Sequence, residues 1–235
     1  MPRAAGRPSC TGAARRASCG RRCAATNTRT RQARKTERVR HLSSPRPSLS
    51  ERLRLRLLPR RRETVDARLY LALNHLPHPG LADRYVALLS DLGKGAGWVG
   101  LGAWLALRDG PRGRRAAVAS VGAMLLTVAL VQGSIKALLP RRRPFHRRLA
   151  VVVGRRPVDS SFPSGHTAGS FAAATALGMF YPRRRPAALG LAAGVGLSRV
   201  YLGHHFPSDV LAGGALGWLL GTLGGRLVRQ SDGGS

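Results

Sequence analysis

The feature that most constrains this chain is a series of apolar, nearly uncharged runs that begins after about residue 80 and is broken by short basic connectors. The clearest run is 116–139, whose only charge is Lys136, near one end. Residues 81–92 and 97–107 form a broken pair around Gly93-Lys94-Gly95, and runs at 167–180, 187–202 and 210–228 follow. A helix needs about 20 apolar residues to cross the hydrocarbon of a bilayer. The runs are apolar all round rather than striped, so no face is kept for water. They are also rich in Gly and Ala, as in Gly213-Gly214-Ala215-Leu216-Gly217, which lets helices approach closely. The expectation is an all-α fold, a multi-pass transmembrane helical bundle of about 5–6 spans. The run 167–180 is short for a span and reads equally as a buried helix.

The connectors set an orientation. Arg108, Arg112, Arg114 and Arg115 precede the long run, Arg183–Arg185 separate two others, and Arg226 and Arg229 end the last. Excess positive charge marks the cytoplasmic side. The loop after Leu139, the stretch near Leu202 and the turn before Val210 then face out. The number of spans before residue 108 stays open. One span would place the basic N-terminal tail outside, against the same rule, and an extra crossing within 66–92 would resolve the conflict. Residues 64–76 read as a short amphipathic helix ended by Pro77 and Pro79-Gly80.

The chain divides into two unlike parts. Residues 1–62 hold 18 Arg and 1 Lys against 2 Glu, a net charge of +17 in a total of +30. Few large apolar residues lie there, so ordering them would bury too little surface to offset the entropy, and a disordered Arg-rich tail is expected. Its 51–58 stretch alternates Leu and Arg and suits an anionic membrane surface. Residues 63–230 make the membrane-embedded domain. Charge of this size suits nucleic acid, but only three of the 40 basic residues are Lys, a preference that matches GC-rich coding. Nucleic acid is therefore not an expected partner. Cys10, Cys19 and Cys23 all lie in the tail, so thiol chemistry is excluded from residue 63 onward.

Chemistry concentrates at the outward helix ends, in three clusters. The first runs from Lys136 to Arg143-Pro144, the second is Ser161-Phe162-Pro163-Ser164-Gly165-His166, and the third runs from Ser198-Arg199 to His204-His205 and Asp209. Lys136, Arg143 and Arg199 together would hold a dianionic phosphoryl group, the arginines in bidentate fashion. Ser164 and Gly165 stand where a loop enters a helix, so their N–H groups and the helix N-terminus favour an anion. Asp209 lies four residues after His205, a spacing that lets its carboxylate accept one ring N–H while the other nitrogen attacks phosphorus. His166 supplies a general acid and base. Singly, these residues have plainer readings. Lys136 can snorkel, Arg143, in the run Arg141–Arg143, can anchor at the interface, and Pro-Ser-Gly can be a helix cap. His204 reads as an interfacial polar residue, and His75 and His146 as surface residues.

Taken together, the clusters closely resemble the type 2 phosphatidic acid phosphatase superfamily, which also includes vanadium-dependent haloperoxidases. Its pattern is K-x6-R-P, P-S-G-H, then S-R-x5-H-x3-D. Every position is matched here, by Lys136, Arg143-Pro144, Pro163 to His166, Ser198-Arg199, His205 and Asp209. The resemblance implies a membrane lipid phosphatase in which His205 becomes a phosphohistidine, Asp209 orients it and His166 is the acid and base. Lys136, Arg143, Ser164, Gly165 and Arg199 would bind phosphate, with no metal or cofactor. It further implies a phosphomonoester or pyrophosphate substrate: polyprenyl pyrophosphate (undecaprenyl pyrophosphate among these), phosphatidic acid or phosphatidylglycerophosphate. The expected site is on the extracytoplasmic side of the cell membrane. A haloperoxidase using the same pocket, and a non-enzymatic binder built around the tail, are the competing readings. The haloperoxidase relatives are typically soluble, unlike these apolar runs, and the complete motif set argues against a binder.

Overall fold

A computed structural model describes residues 64–146 and 150–231. The expected disordered tail, 1–62, and its 51–58 stretch lie outside the described residues. Within them the chain is helical, with no strand. Helix α1, Val65–Asn74, starts where the Thr64 hydroxyl accepts the Ala67 N–H at 3.3 Å. Helices α2, Gly80–Leu92, and α3, Ala96–Arg108, are separated at the glycine-flanked turn. Helix α4 runs from Gly110 to Leu138, with a π turn over Val131–Ile135. Then come α5, Gly165–Phe180, α6, Arg185–Tyr201, and α7, Pro207–Gln230. Proline stands in the first turn of α4, α6 and α7, where its missing N–H costs nothing.

Helix α5 is the centre of the bundle. Ala168, Ala172, Ala173, Ala174 and Ala176 are fully buried between α4, α6 and α7. At 16 residues it spans about 24 Å, short of the roughly 30 Å hydrocarbon layer. The run is buried among its neighbouring helices. Its contact with α7 is made by backbone. A Cβ on Gly217 would stand 2.1 Å from the Ala168 carbonyl oxygen, and one on Gly221 would stand 2.4 Å from that of Ala172. Neither carbonyl can yield, so only glycine fits these two positions.

Large apolar side chains lie on the outside instead. Leu125 and Leu126 of α4 and Leu211, Trp218, Leu219, Leu223 and Leu227 of α7 are exposed. Small residues inside and large ones outside reverse the arrangement of water-soluble cores. Two helices, Gly110–Leu138 and Pro207–Gln230, have the length and hydropathy to cross a membrane. The sequence leads one to expect about five to six spans, and the other helices fall short of about 20 residues.

The basic connectors meet at one end. The Arg112 guanidinium donates to the Phe180 carbonyl at 3.0 and 2.5 Å and lies over the Tyr181 ring. The Tyr181 hydroxyl donates to Asp109 at 2.7 Å. The three sequence clusters converge elsewhere, around the C-terminal end of α4, the start of α5 and the α6–α7 turn.

Candidate active site

Each cluster is placed by its own local device. The π turn adds a residue to one turn of α4 and so re-aims the residues after it, as such bulges do. Lys136, the next residue, is buried. Gly203, with φ of +81°, makes the reversal after α6. That reversal lets the His204 and His205 N–H groups both donate to the Arg199 carbonyl, at 3.0 and 3.3 Å. The Ser164 N–H donates to the Asp209 carbonyl at 3.0 Å, tying the start of α5 to the start of α7. Buried Asn74 holds the outer loop down: it donates to the Val151 and Tyr201 carbonyls at 2.8 and 2.9 Å and accepts the Val151 N–H at 2.8 Å.

His205 is buried, and its Nδ1 lies 2.7 Å from the Ser161 carbonyl. A carbonyl only accepts, so Nδ1 carries the proton and Nε2 keeps its lone pair. Nε2 faces the Arg143 guanidinium at 3.4 Å. The spacing in sequence points to Asp209 as partner of the ring N–H, but its Oδ2 stands 3.7 Å away, beyond a hydrogen bond. Burial, then the nearby Arg143 and Arg199 charges, pushes the His205 imidazole down to about 4, with Asp209 opposing. Asp209 is itself fully buried. It accepts from the Ser161 hydroxyl at 2.5 Å, the Phe206 N–H at 2.8 Å and the Arg141 guanidinium at 2.5 Å.

Arg143 and Lys136 are not free cations. Arg143 donates to Asp159 Oδ1 at 2.6 Å, to the Asp159 carbonyl at 2.9 Å and to the His204 carbonyl at 2.9 Å. Lys136 hydrogen-bonds the other carboxylate oxygen of Asp159. Arg199 is different: buried, it donates to the Ser90 hydroxyl at 2.7 Å, its Nε has no partner, and no carboxylate pairs with it among the described residues. A buried cation without a counterion is costly, and an incoming anion would relieve it.

Ser164 accepts from the Thr167 hydroxyl at 2.9 Å, which leaves its own O–H to donate. It makes no side-chain cap on α5, so the first N–H groups of that helix stay available. A methyl on Gly165 would meet Val131 and Gln132 at 3.6 Å, ordinary contact, so packing against the protein does not demand this glycine. Nε2 of His166 is buried without a partner, as are both ring nitrogens of His204. His204, expected at the interface, is instead buried, because Gly203 turns it inward beside Arg199.

The eight residues singled out in the sequence thus belong to one connected region. Asp159, Ser161 and Arg141 join it without having been assigned a role. Asp159 had a signal: it is the only acidic residue between Asp109 and Asp209. Arg141, for which the sequence suggested no role, turns inward to Asp209 and to Asp66 of α1, the latter at 2.7 Å. No group of three or more His, Cys, Asp or Glu suited to a metal occurs among the described residues.

Known proteins align over the same region. The model of one family, described as the PAP2 superfamily, matches residues 117–231. The decaprenylphosphoryl-5-phosphoribose phosphatase of Mycolicibacterium smegmatis is 40% identical over 126 residues, which are 53% of this chain and 67% of that protein. The lipid A 1-phosphatase of Rhizobium etli is 40% identical over 111 residues, 43% of this chain and 47% of that protein, so the match spans about half of this second relative. Among solved structures, Aquifex aeolicus LpxE superimposes with a TM-score of 0.56 at 24% identity, over 70% of this chain and 97% of that one. A transmembrane PAP2 type phosphatidylglycerolphosphate phosphatase from Bacillus subtilis gives 0.53 at 24%, over 72% and 84%. At this identity the two structures show the fold.

Proposed function

This chain belongs to the PAP2 superfamily and is a phosphatase, and from that premise we propose that it hydrolyses a phosphomonoester or pyrophosphate of a membrane lipid through a phosphohistidine on His205. The observation that carries the reading is the His205 ring: Nδ1–H held by the Ser161 carbonyl, Nε2 with its lone pair beside Arg143. Lys136, Arg143 and Arg199, with the Ser164 hydroxyl and the N–H groups at the start of α5, take the phosphoryl oxygens. Nε2 attacks phosphorus, the bond to the lipid oxygen breaks, and His166, entering as the imidazolium, gives that oxygen a proton and is left neutral. His166 then takes a proton from water, whose oxygen attacks phosphorus. The Nε2–P bond breaks and inorganic phosphate leaves. Asp209, 3.7 Å from Nδ1, stabilises the ring as it becomes positive.

The exposed apolar side chains of α4 and α7 support a bilayer as surroundings, with the shorter helices completing a multi-pass bundle over 63–230. The basic connectors gathered at one end support a cytoplasmic position for that end and an extracytoplasmic site. Relatives named for decaprenylphosphoryl-5-phosphoribose, lipid A and, in Escherichia coli, a putative undecaprenyl-diphosphatase support a lipid phosphate as substrate. Polyprenyl pyrophosphate, phosphatidic acid and phosphatidylglycerophosphate are the candidates.

The test is phosphate release by the protein in detergent over those three lipids. At least one should be hydrolysed, with EDTA leaving the rate unchanged. His205→Ala and His166→Ala should each lower kcat by about a thousand-fold or more. Full activity in His205→Ala would sink the mechanism, and strict magnesium dependence would sink the metal-free reading.

A further inference from the structure

Among the described residues, Asp159 is the carboxylate that pairs with the cations of the proposed phosphate cradle. Its two oxygens take Arg143, at 2.6 Å, and Lys136, whose side chains are almost fully buried, while its own side chain is 39% exposed at the rim. Burial alone would raise its pKa, but the Lys136 hydrogen bond and the Arg143 charge hold the carboxyl down at about 2, so it is an anion at any working pH. The third cation of the cradle, Arg199, is paired with no carboxylate among the described residues. Two oxygens of one planar group thus sit on two of the three cations that a phosphoryl group would use.

We propose that Asp159 is a specificity-determining residue, an internal anion that yields the cradle to a phosphorus carrying two negative charges and keeps out singly charged phosphodiesters. The inference rests on the phosphatase reading of the site. A terminal phosphate brings two charges to three cations and out-competes one carboxylate. A phosphodiester brings one. It gains no charge over the carboxylate, and it must also give up translational freedom that the tethered side chain has already lost. The distinction matters at a bilayer surface, where phosphodiester headgroups far outnumber any terminal phosphate. Asp159 would keep those headgroups from occupying Lys136 and Arg143.

The test is calorimetric binding of inorganic phosphate and of dimethyl phosphate to the full chain in detergent at about pH 8, where the first is a dianion. The wild-type protein should bind inorganic phosphate and discriminate strongly against dimethyl phosphate. Asp159→Asn keeps the shape, removes the charge and lies at the rim. It should bind dimethyl phosphate roughly ten-fold more tightly and so narrow the discrimination. Unchanged discrimination in Asp159→Asn overturns the proposal. Weaker binding of both anions in Asp159→Asn and Asp159→Ala overturns it too, because Asp159 would then only prop the cations. If wild-type protein binds no inorganic phosphate, the cradle itself fails and the inference with it. The His205→Ala protein separates the two failures: it should still bind phosphate even without turnover.

Discussion

Arg141 reaches two carboxylates at once, Asp209 at 2.5 Å and Asp66 at 2.7 Å, and Asp66 in turn accepts the Ser208 N–H and hydroxyl. It orients Asp209, which stands beside His205. Arg141→Gln should therefore lower kcat about ten- to a hundred-fold while KM changes little, since the cation is outside the phosphate cradle. Equal damage to KM would place Arg141 on the substrate instead. Sequence could not single it out, because three consecutive arginines look alike until a backbone direction exists. The partner of the His205 ring was hidden for a related reason. A four-residue spacing aligns side chains only when both ends are helical, and α7 begins at Pro207, after His205. Residue identities were legible there, the hydrogen bond was not. Because the ring is pushed down to about 4, it should stay neutral well below the ordinary histidine value near 6.5. The neutral form that the proposed attack requires is lost only as pH falls through about 4. Nitrogen-15 spectra of histidine-labelled protein, assigned with His205→Ala, would show that midpoint, and one near 6.5 would contradict the buried geometry.

At the scale of elements, the apolar runs locate α4 to α7 well and their limits less so. In sequence the long run starts at residue 116 because Arg112, Arg114 and Arg115 precede it, yet α4 starts at Gly110. Proline at its first turn begins the helix, and arginine in an exposed first turn needs no apolar neighbour. The π turn has no sequence sign at all, since Gln132-Gly133-Ser134 reads the same in either helical form. The glycines of α7 were legible as close packing, and the structure shows against what. Gly217→Leu should destabilise the protein by about 3 kcal/mol or more, because the side chain meets a carbonyl that cannot move. Gly100→Ala, where no atom lies within 4 Å of a Cβ, is the matched control and should not lower the temperature of thermal unfolding in detergent.

The whole molecule has its basic connectors gathered at one end, and the proposed orientation turns that end to the cytoplasm. The described region lacks cysteine, so the orientation can be read by labelling. With Cys10, Cys19 and Cys23 changed to serine, Val158→Cys, fully exposed on the outer loop, should react with an impermeant maleimide on intact cells. Arg183→Cys, in the α5–α6 connector, should react only after lysis, and the opposite pattern would invert the protein. The backbone seam between α5 and α7 has a mechanical consequence. Glycine against carbonyl, together with the Ser164 to Asp209 hydrogen bond, fuses the helix carrying His166 to the helix just after His205. The described residues 139–146 and 150–161 are fastened to the site largely by side chains, through Arg141, Arg143 and Ser161. The acid and the nucleophile of the proposed mechanism therefore stand on one backbone-locked pair of helices, held at a fixed spacing from each other.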